Sequence, residues 1–124
     1  MRRVRVVLVE DNEVFREALE LLLGMRGDVE VVASVGDGVA AVAAALEHRP
    51  DVVLVDYRMP ALDGVQTTSD LLAKVPGLSV VALTASADES QREALLAAGA
   101  RACLRKDQEL NEIVAAIQQA AAVE

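Results

Sequence analysis

Aromatic residues are nearly missing from this chain. Phe15 and Tyr57 are the only two, and there is no tryptophan. Val, Leu and Ala must therefore fill the core, in a chain that is 53% hydrophobic. Such material suits short β-branched strands packed against Ala-rich helices. There is a single cysteine, Cys103, which excludes an internal disulfide and suits a reducing cytoplasm. No apolar run approaches the ~20 residues of a membrane span. The stretch Val4 to Val9 is too short for a signal peptide and meets Glu10-Asp11 at once. Positive charge is scarce too. Twelve Lys and Arg stand against twenty Asp and Glu, a net charge of −8. An acidic chain repels nucleic acid and anionic membrane, so direct binding to either is not expected. The basic cluster Arg2, Arg3 and Arg5 reads as a solvated strand edge. Linkers, low-complexity segments and sequence repeats are also missing, and 124 residues fit one domain.

What is present is an alternation of strands and helices. Residues 4–9 read as a first strand. Asn12 is a good N-cap for a helix over 13–25, with apolar Val14, Ala18, Leu19, Leu22 and Leu23, closed near Gly24 and Gly27. Residues 29–35 form a second strand, and Asp37 caps an Ala-rich helix over 39–47. Beyond Pro50, residues 51–56 form a third strand that is apolar throughout its middle, as in a parallel sheet buried on both faces. Met59-Pro60 and Asp63-Gly64 punctuate a loop before a helix over 65–74. Pro76-Gly77 turns the chain into a strand over 78–83. A helix over 88–98 stops at Gly99, and a short strand over 102–105 precedes a last helix over 110–122. Five strand–helix pairs with short connections indicate a doubly wound α/β sheet of parallel strands.

In such sheets a ligand binds outside the carboxyl ends of the strands. Glu10 and Asp11 follow the first strand, Asp56 ends the third, Thr84 follows the fourth and Lys106 the fifth. Strand two, ending in Ser34 and Gly36, is less distinctive. Three carboxylates at one rim repel one another unless some are protonated or a cation lies among them. Hard oxygen donors favour Mg²⁺, bound through one or two carboxylates and a phosphate oxygen. A lysine and a threonine facing the same point can hold further phosphoryl oxygens. An aspartate beside a metal and a lysine can attack phosphorus and form an aspartyl phosphate.

Each residue also has a plainer reading. Glu10-Asp11 suits a helix N-terminus. Asp56 alone is a turn-former, Thr84 a strand-end residue and Lys106 a surface lysine. Their joint placement on one rim carries the argument. Asp51 serves as a control, because it lies at the opposite end of the third strand. His48 and Cys103 read as structural.

The motifs Val9-Glu10-Asp11-Asn12, Asp56-Tyr57-Arg58-Met59-Pro60-Ala61-Leu62-Asp63-Gly64, Leu83-Thr84-Ala85 and Leu104-Arg105-Lys106-Asp107 match a known family. Over essentially its full length the chain resembles the receiver domains of two-component response regulators. The resemblance implies a five-stranded sheet of order 2-1-3-4-5 flanked by five helices. It implies Asp56 as phosphoacceptor, with Asp11, Asp56 and the backbone carbonyl of Arg58 as ligands of Mg²⁺ (or Mn²⁺). Glu10 would act through metal-bound water, and Thr84 and Lys106 would bind the phosphoryl group and report its presence. The implied partners are a sensor histidine kinase as donor and a second copy of the chain as a homodimer. Drawing Thr84 inward would move the loop after strand four and alter the surface of helices four and five.

Lys106-Asp107 and Ala98-Gly99-Ala100-Arg101 are most similar to receivers joined to a LuxR-type helix-turn-helix. That implies the amino-terminal part of a transcription regulator, with residues 1–124 as the receiver and no residues left for an output domain; a stand-alone receiver is the alternative. Two departures stand out. Many receivers carry an aromatic residue at the position of Cys103, so the aromatic part of the usual switch is missing. Many also carry proline after the lysine. Here it is Asp107, and a cis non-proline bond costs about 2.5–4 kcal/mol, so a trans bond is expected. Arg58, two positions after Asp56, is where a side chain can approach the phosphoryl group and tune its lifetime, or else point into solvent.

The expected activity is therefore signalling in the cytoplasm, with no enzymatic turnover beyond slow self-phosphorylation and autodephosphorylation. Three other classes compete. A phosphohydrolase with an aspartyl nucleophile usually needs a second acid where Arg58 stands. A flavin binder needs a phosphate-binding loop where Glu10-Asp11 would repel phosphate. A degenerate receiver used only as an interaction module is disfavoured by the intact acids, Thr84 and Lys106, and kept in view by Cys103.

Overall fold

The computed structural model describes residues 3–56, 64–84 and 89–122, with Asp56 described by its backbone. Five strands alternate with five helices. These are β1 (Val4–Val9), α1 (Glu13–Gly24), β2 (Val29–Val35), α2 (Gly38–His48), β3 (Val52–Asp56), α3 (Gly64–Lys74), β4 (Ser79–Thr84), α4 (Glu89–Ala97), β5 (Ala102–Arg105) and α5 (Leu110–Ala122). The strands form one parallel sheet of order β2-β1-β3-β4-β5, as the resemblance implies.

Period-two alternation sorts the strand residues into two cores. Val7, Val9, Val53, Val55, Val80 and Ala82 face α2, α3 and α4, where Ala41, Ala45, Leu71 and Leu95 meet them. Val6, Leu8, Val52, Leu54, Val81 and Leu83 face α1 and α5, where Leu19, Leu23, Ile113 and Ile117 meet them. The small alanines of α2 let that helix lie close to the sheet without any aromatic filler. At the β2 edge the register slips between Val6 and Val7, so that Val6 pairs with Val31 but Val7 with Ala33. The extra residue, Val32, is a bulge on an edge strand, where bulges concentrate.

The expected caps are present. The Asn12 side chain accepts from the Phe15 N–H at 3.0 Å, and Asp37 accepts from the Ala40 N–H at 2.8 Å. Gly99 ends α4 with φ +114, and the Gly99 and Ala100 N–H groups donate back to the Leu96 and Leu95 carbonyls. Gly24 and Gly27 do not work this way: α1 closes at Met25 in a right-handed conformation, and neither glycine has a positive φ.

The apolar stripe of α1 also differs from the expectation. Leu19 and Leu23 are buried with Phe15 packed beside them, whereas Val14, Leu22 and Ala18 face outward. Two further residues, Leu21 and Met25, are exposed as well. The helix has more apolar residues than one buried face can take, and the way α1 lies against β1 and β2 decides which of them go inside. Two boundaries move by one residue in a way that matters: Thr84 is the last residue of β4 rather than the first after it, and Asp51 precedes β3.

Candidate functional site at the carboxyl rim

Strand ends carry the candidate residues to one edge of the sheet. The β1–β2 ladder continues one step past β1, with the Glu10 N–H donating to the Val35 carbonyl at 3.0 Å. The β4–β5 ladder does the same, with the Lys106 N–H donating to the Thr84 carbonyl at 2.8 Å. Both residues thus leave the sheet from a backbone still held in register. Thr84 is buried, and its hydrogen bond from Lys106 ties the two expected phosphoryl-binding residues through the main chain.

Glu10 is only 1% exposed, which obliges its carboxylate to find partners. Lys106 Nζ lies 2.8 Å from Oε1, and the Asn12 N–H donates to Oε2 at 3.0 Å. Arg16 donates to the Glu10 backbone carbonyl at 2.9 Å. A side chain on Gly36 would meet that guanidinium at 3.0 Å, so the turn after β2 is kept bare where Arg16 passes. The β1–α1 connection is therefore pinned from three sides, and Asp11 stands exposed beside it.

The Glu10–Lys106 contact has a topological consequence. Glu10 follows β1 and Lys106 follows β5, with β3 and β4 between them in the sheet. Their side chains meet only by closing over the rim that those two strands share, and β3 ends in Asp56 while β4 ends in Thr84. The Lys106 ammonium also lies 5.0 Å from the centre of the Phe15 ring. It is held by its backbone, a carboxylate and an aromatic face together.

Glu10, Asp11, Thr84 and Lys106 are thus all at the rim, as is the backbone of Asp56. Arg58 and the loop at 57–63, including Tyr57 and Asp63, lie outside the described residues, as do 85–88 and the side chain of Asp56. Among the described side chains, no three of His, Cys, Asp or Glu gather closely enough to hold a metal by themselves. Glu10 and Asp11 supply hard oxygen donors, and the expected third carboxylate belongs to Asp56.

Asp51 is at the opposite edge, where its Oδ2 accepts from the Arg5 N–H at 2.9 Å and ties β1 to the start of β3. Arg3 lies 3.8 Å from Glu30 on the neighbouring strand. His48 approaches Glu47 at 3.4 Å at the carboxyl end of α2, before β3 begins. Cys103 is half-buried on the α4 side of the sheet, in register with Ala82, two residues before Thr84. Burial pushes its thiol pKa up; Arg92 pulls it down and Glu89 adds to the rise. No cis peptide occurs among the described residues, so the Lys106–Asp107 bond is trans as expected.

Two residues at the rim escaped the strand-end inventory, Phe15 and Arg16. Both lie one helical turn beyond the acidic pair, on α1 rather than at a strand end. The available signal was the rarity of aromatics, one of which falls three residues after the N-cap.

A doubly wound parallel α/β domain with a buried acid, a buried threonine and a partly buried lysine on its carboxyl rim defines the class. The chain belongs to the response regulator receiver domain family, which it matches over residues 6–118. It is 34% identical over 116 residues to the transcriptional regulatory protein DegU of Brevibacillus brevis, covering 94% of this chain and 49% of that protein. It is 37% identical over 120 residues to the DNA-binding transcriptional activator DevR/DosR of Mycobacterium tuberculosis, covering 96% of this chain and 55% of that one. The signal receiver domain of the response regulator NarL from Mycobacterium tuberculosis superposes with a TM-score of 0.94 at 35% identity, covering 100% of both chains. The chain spans about half the length of the curated relatives it matches. No helix among the described residues is long and apolar enough to cross a membrane.

Proposed function

We propose that this domain takes a phosphoryl group from a phosphohistidine of a sensor kinase onto Asp56, and that the modification changes its surface to control a DNA-binding output. The observation that carries the reading is the Glu10–Lys106 contact over the ends of β3 and β4. It sets a cation beside the strand ends that carry Asp56 and Thr84, which supports a role for Lys106 in holding phosphoryl oxygens.

Glu10, Asp11 and Asp56, with the backbone carbonyl of Arg58, form the donor set for Mg²⁺. The fit rests on donor chemistry, since all are hard oxygens. Both oxygens of Glu10 are already engaged, by Lys106 and by the Asn12 N–H, which suits contact through a metal-bound water. The ion, when bound, neutralises charge on the phosphoryl group. The chain's own residues do the rest. An Asp56 carboxylate oxygen bonds to phosphorus as the donor's phosphorus–nitrogen bond breaks, and the electron pair leaves with the imidazole. Lys106 and the Thr84 hydroxyl donate to the new phosphoryl oxygens.

The exposed Val14, Leu21 and Met25 line one face of α1 that starts beside the rim at Val14 and runs away from it, and this face offers a donor protein an apolar seat. Engagement of Thr84 would draw in the end of β4 and shift the neighbouring α4–β5–α5 surface, biasing homodimerisation or partner binding. The shift is bounded by how differently the phosphoryl group interacts with the two states. Arg58 is proposed to tune the lifetime of the phosphoryl group. A cytoplasmic location goes with this reading, as does a role as the receiver part of a LuxR-type regulator.

The test is labelling with a small phosphodonor. Wild type should label with Mg²⁺ and fail to label when EDTA is present from the start, and Asp56→Asn should not label. Labelling that survives in Asp56→Asn refutes the reading.

A further inference from the structure

Phe15 is the chain's only phenylalanine, and it does not lie in the middle of either core. It sits in the first turn of α1, where the Asn12 cap accepts from its N–H at 3.0 Å. Its ring lines a groove with Leu19, Leu22, Leu110 and Ile113, and Lys106 is part of the same lining. The ammonium is 5.0 Å from the ring centre, inside the ~6 Å range of cation–π attraction.

We infer that Phe15 is a positioning residue for phosphoryl recognition: its ring is the floor that keeps the Lys106 ammonium at the rim. The inference rests on the reading of Lys106 proposed above and deepens it. Lysine is a point charge on a flexible four-carbon stem, so its head strays unless something holds it. Glu10 holds it at 2.8 Å through one of its three N–H donors. A phosphoryl group brings a charge of about −1.5 to −2 and competes with Glu10 for the same cation. The ring attracts the ammonium without occupying an acceptor site or fixing a direction. It therefore holds Lys106 both while paired with Glu10 and while turned to the phosphoryl oxygens. A carboxylate in its place would compete with the phosphoryl group, and an aliphatic side chain would exert no pull on the charge.

The chain has just two lysines, Lys74 and Lys106, so labelled lysine gives two resolvable sets of NMR signals with Lys74 as internal reference. The side-chain methylenes of Lys106 should be shifted upfield by the ring. Phe15→Leu, similar in apolar character, should bring them to the Lys74 values, and Phe15→Tyr should keep the shift. With a small phosphodonor and Mg²⁺, Phe15→Leu should label about 2- to 5-fold more slowly, the range set by a cation–π contact near the surface, while Phe15→Tyr stays within about twofold by the same principle. An unaltered Lys106 signal in Phe15→Leu, or labelling of Phe15→Leu at the wild-type rate, overturns the inference. If Phe15→Leu does not fold, Phe15→Met carries the same comparison. Absence of labelling in wild type would instead sink the acceptor reading, and the lysine signals would still decide whether Lys106 lies over the Phe15 ring.

Discussion

Lys106 shows how a residue acquires a role that its type does not dictate. A lysine after a short strand is ordinarily a solvated one. Here its backbone is bonded to Thr84, its ammonium to Glu10, and its head lies over Phe15. The strand-end inventory found Lys106, Thr84, Glu10 and Asp11 because parallel strands end on a common rim. It did not find Phe15 or Arg16, because α1 brings them in from the side and no strand period points to them. Cys103 is the opposite case, a residue singled out by what it replaces. Its raised pKa leaves less thiolate than an ordinary cysteine has at the same pH. Alkylation by iodoacetamide near pH 7 should therefore be slower in the folded chain than in urea. The difference should narrow as pH rises past the ordinary thiol range, because the unfolded thiol is then fully ionised while the folded one is still gaining thiolate. Equal rates at pH 7 would contradict this.

At the scale of elements, capping chemistry was the most readable feature. Asn12, Asp37 and Gly99 all do what their types predict, since each answers a local backbone need. Gly99 is the most demanding of them. Its φ of +114 disfavours any side chain, and a Cβ there would come within 2.5 Å of Leu72 Cδ1. Gly99→Ala should cost more than about 1 kcal/mol, seen as a lowered urea midpoint with unchanged slope. A neutral substitution would mean that the α4–β5 connection relaxes freely. The outward face of α1 was misread for a different reason. Val14, Ala18 and Leu22 fit a helical apolar stripe as well as Phe15, Leu19 and Leu23 do. Periodicity locates a stripe only when one face is polar, and α1 is apolar on more than one.

For the whole molecule, the sheet is the shared wall of two cores. Val53 packs on the α2–α4 side and Leu54 on the α1–α5 side, one residue apart on the same strand. Neither layer can unfold while the other keeps its strands, so unfolding should be cooperative. Leu54→Ala should cost about 2–5 kcal/mol. Val53→Ala should also destabilise, and each variant should keep one transition when followed by fluorescence-free probes such as far-UV circular dichroism and hydrogen exchange. Two separated transitions in either variant would show that the layers are independent.

The chain by itself determined the α/β class, the run of ten elements and the rim on which the acids, Thr84 and Lys106 fall. These follow from local rules: period-two apolar strands, capping residues and the common direction of parallel strands. Only the tertiary structure decided which apolar residues of α1 are buried, that β2 bulges at Val32, and that Glu10 and Lys106 meet across the two strands between them. Those depend on how α1 and α5 lie on the sheet and on which strands are neighbours, and both are set by packing among distant segments.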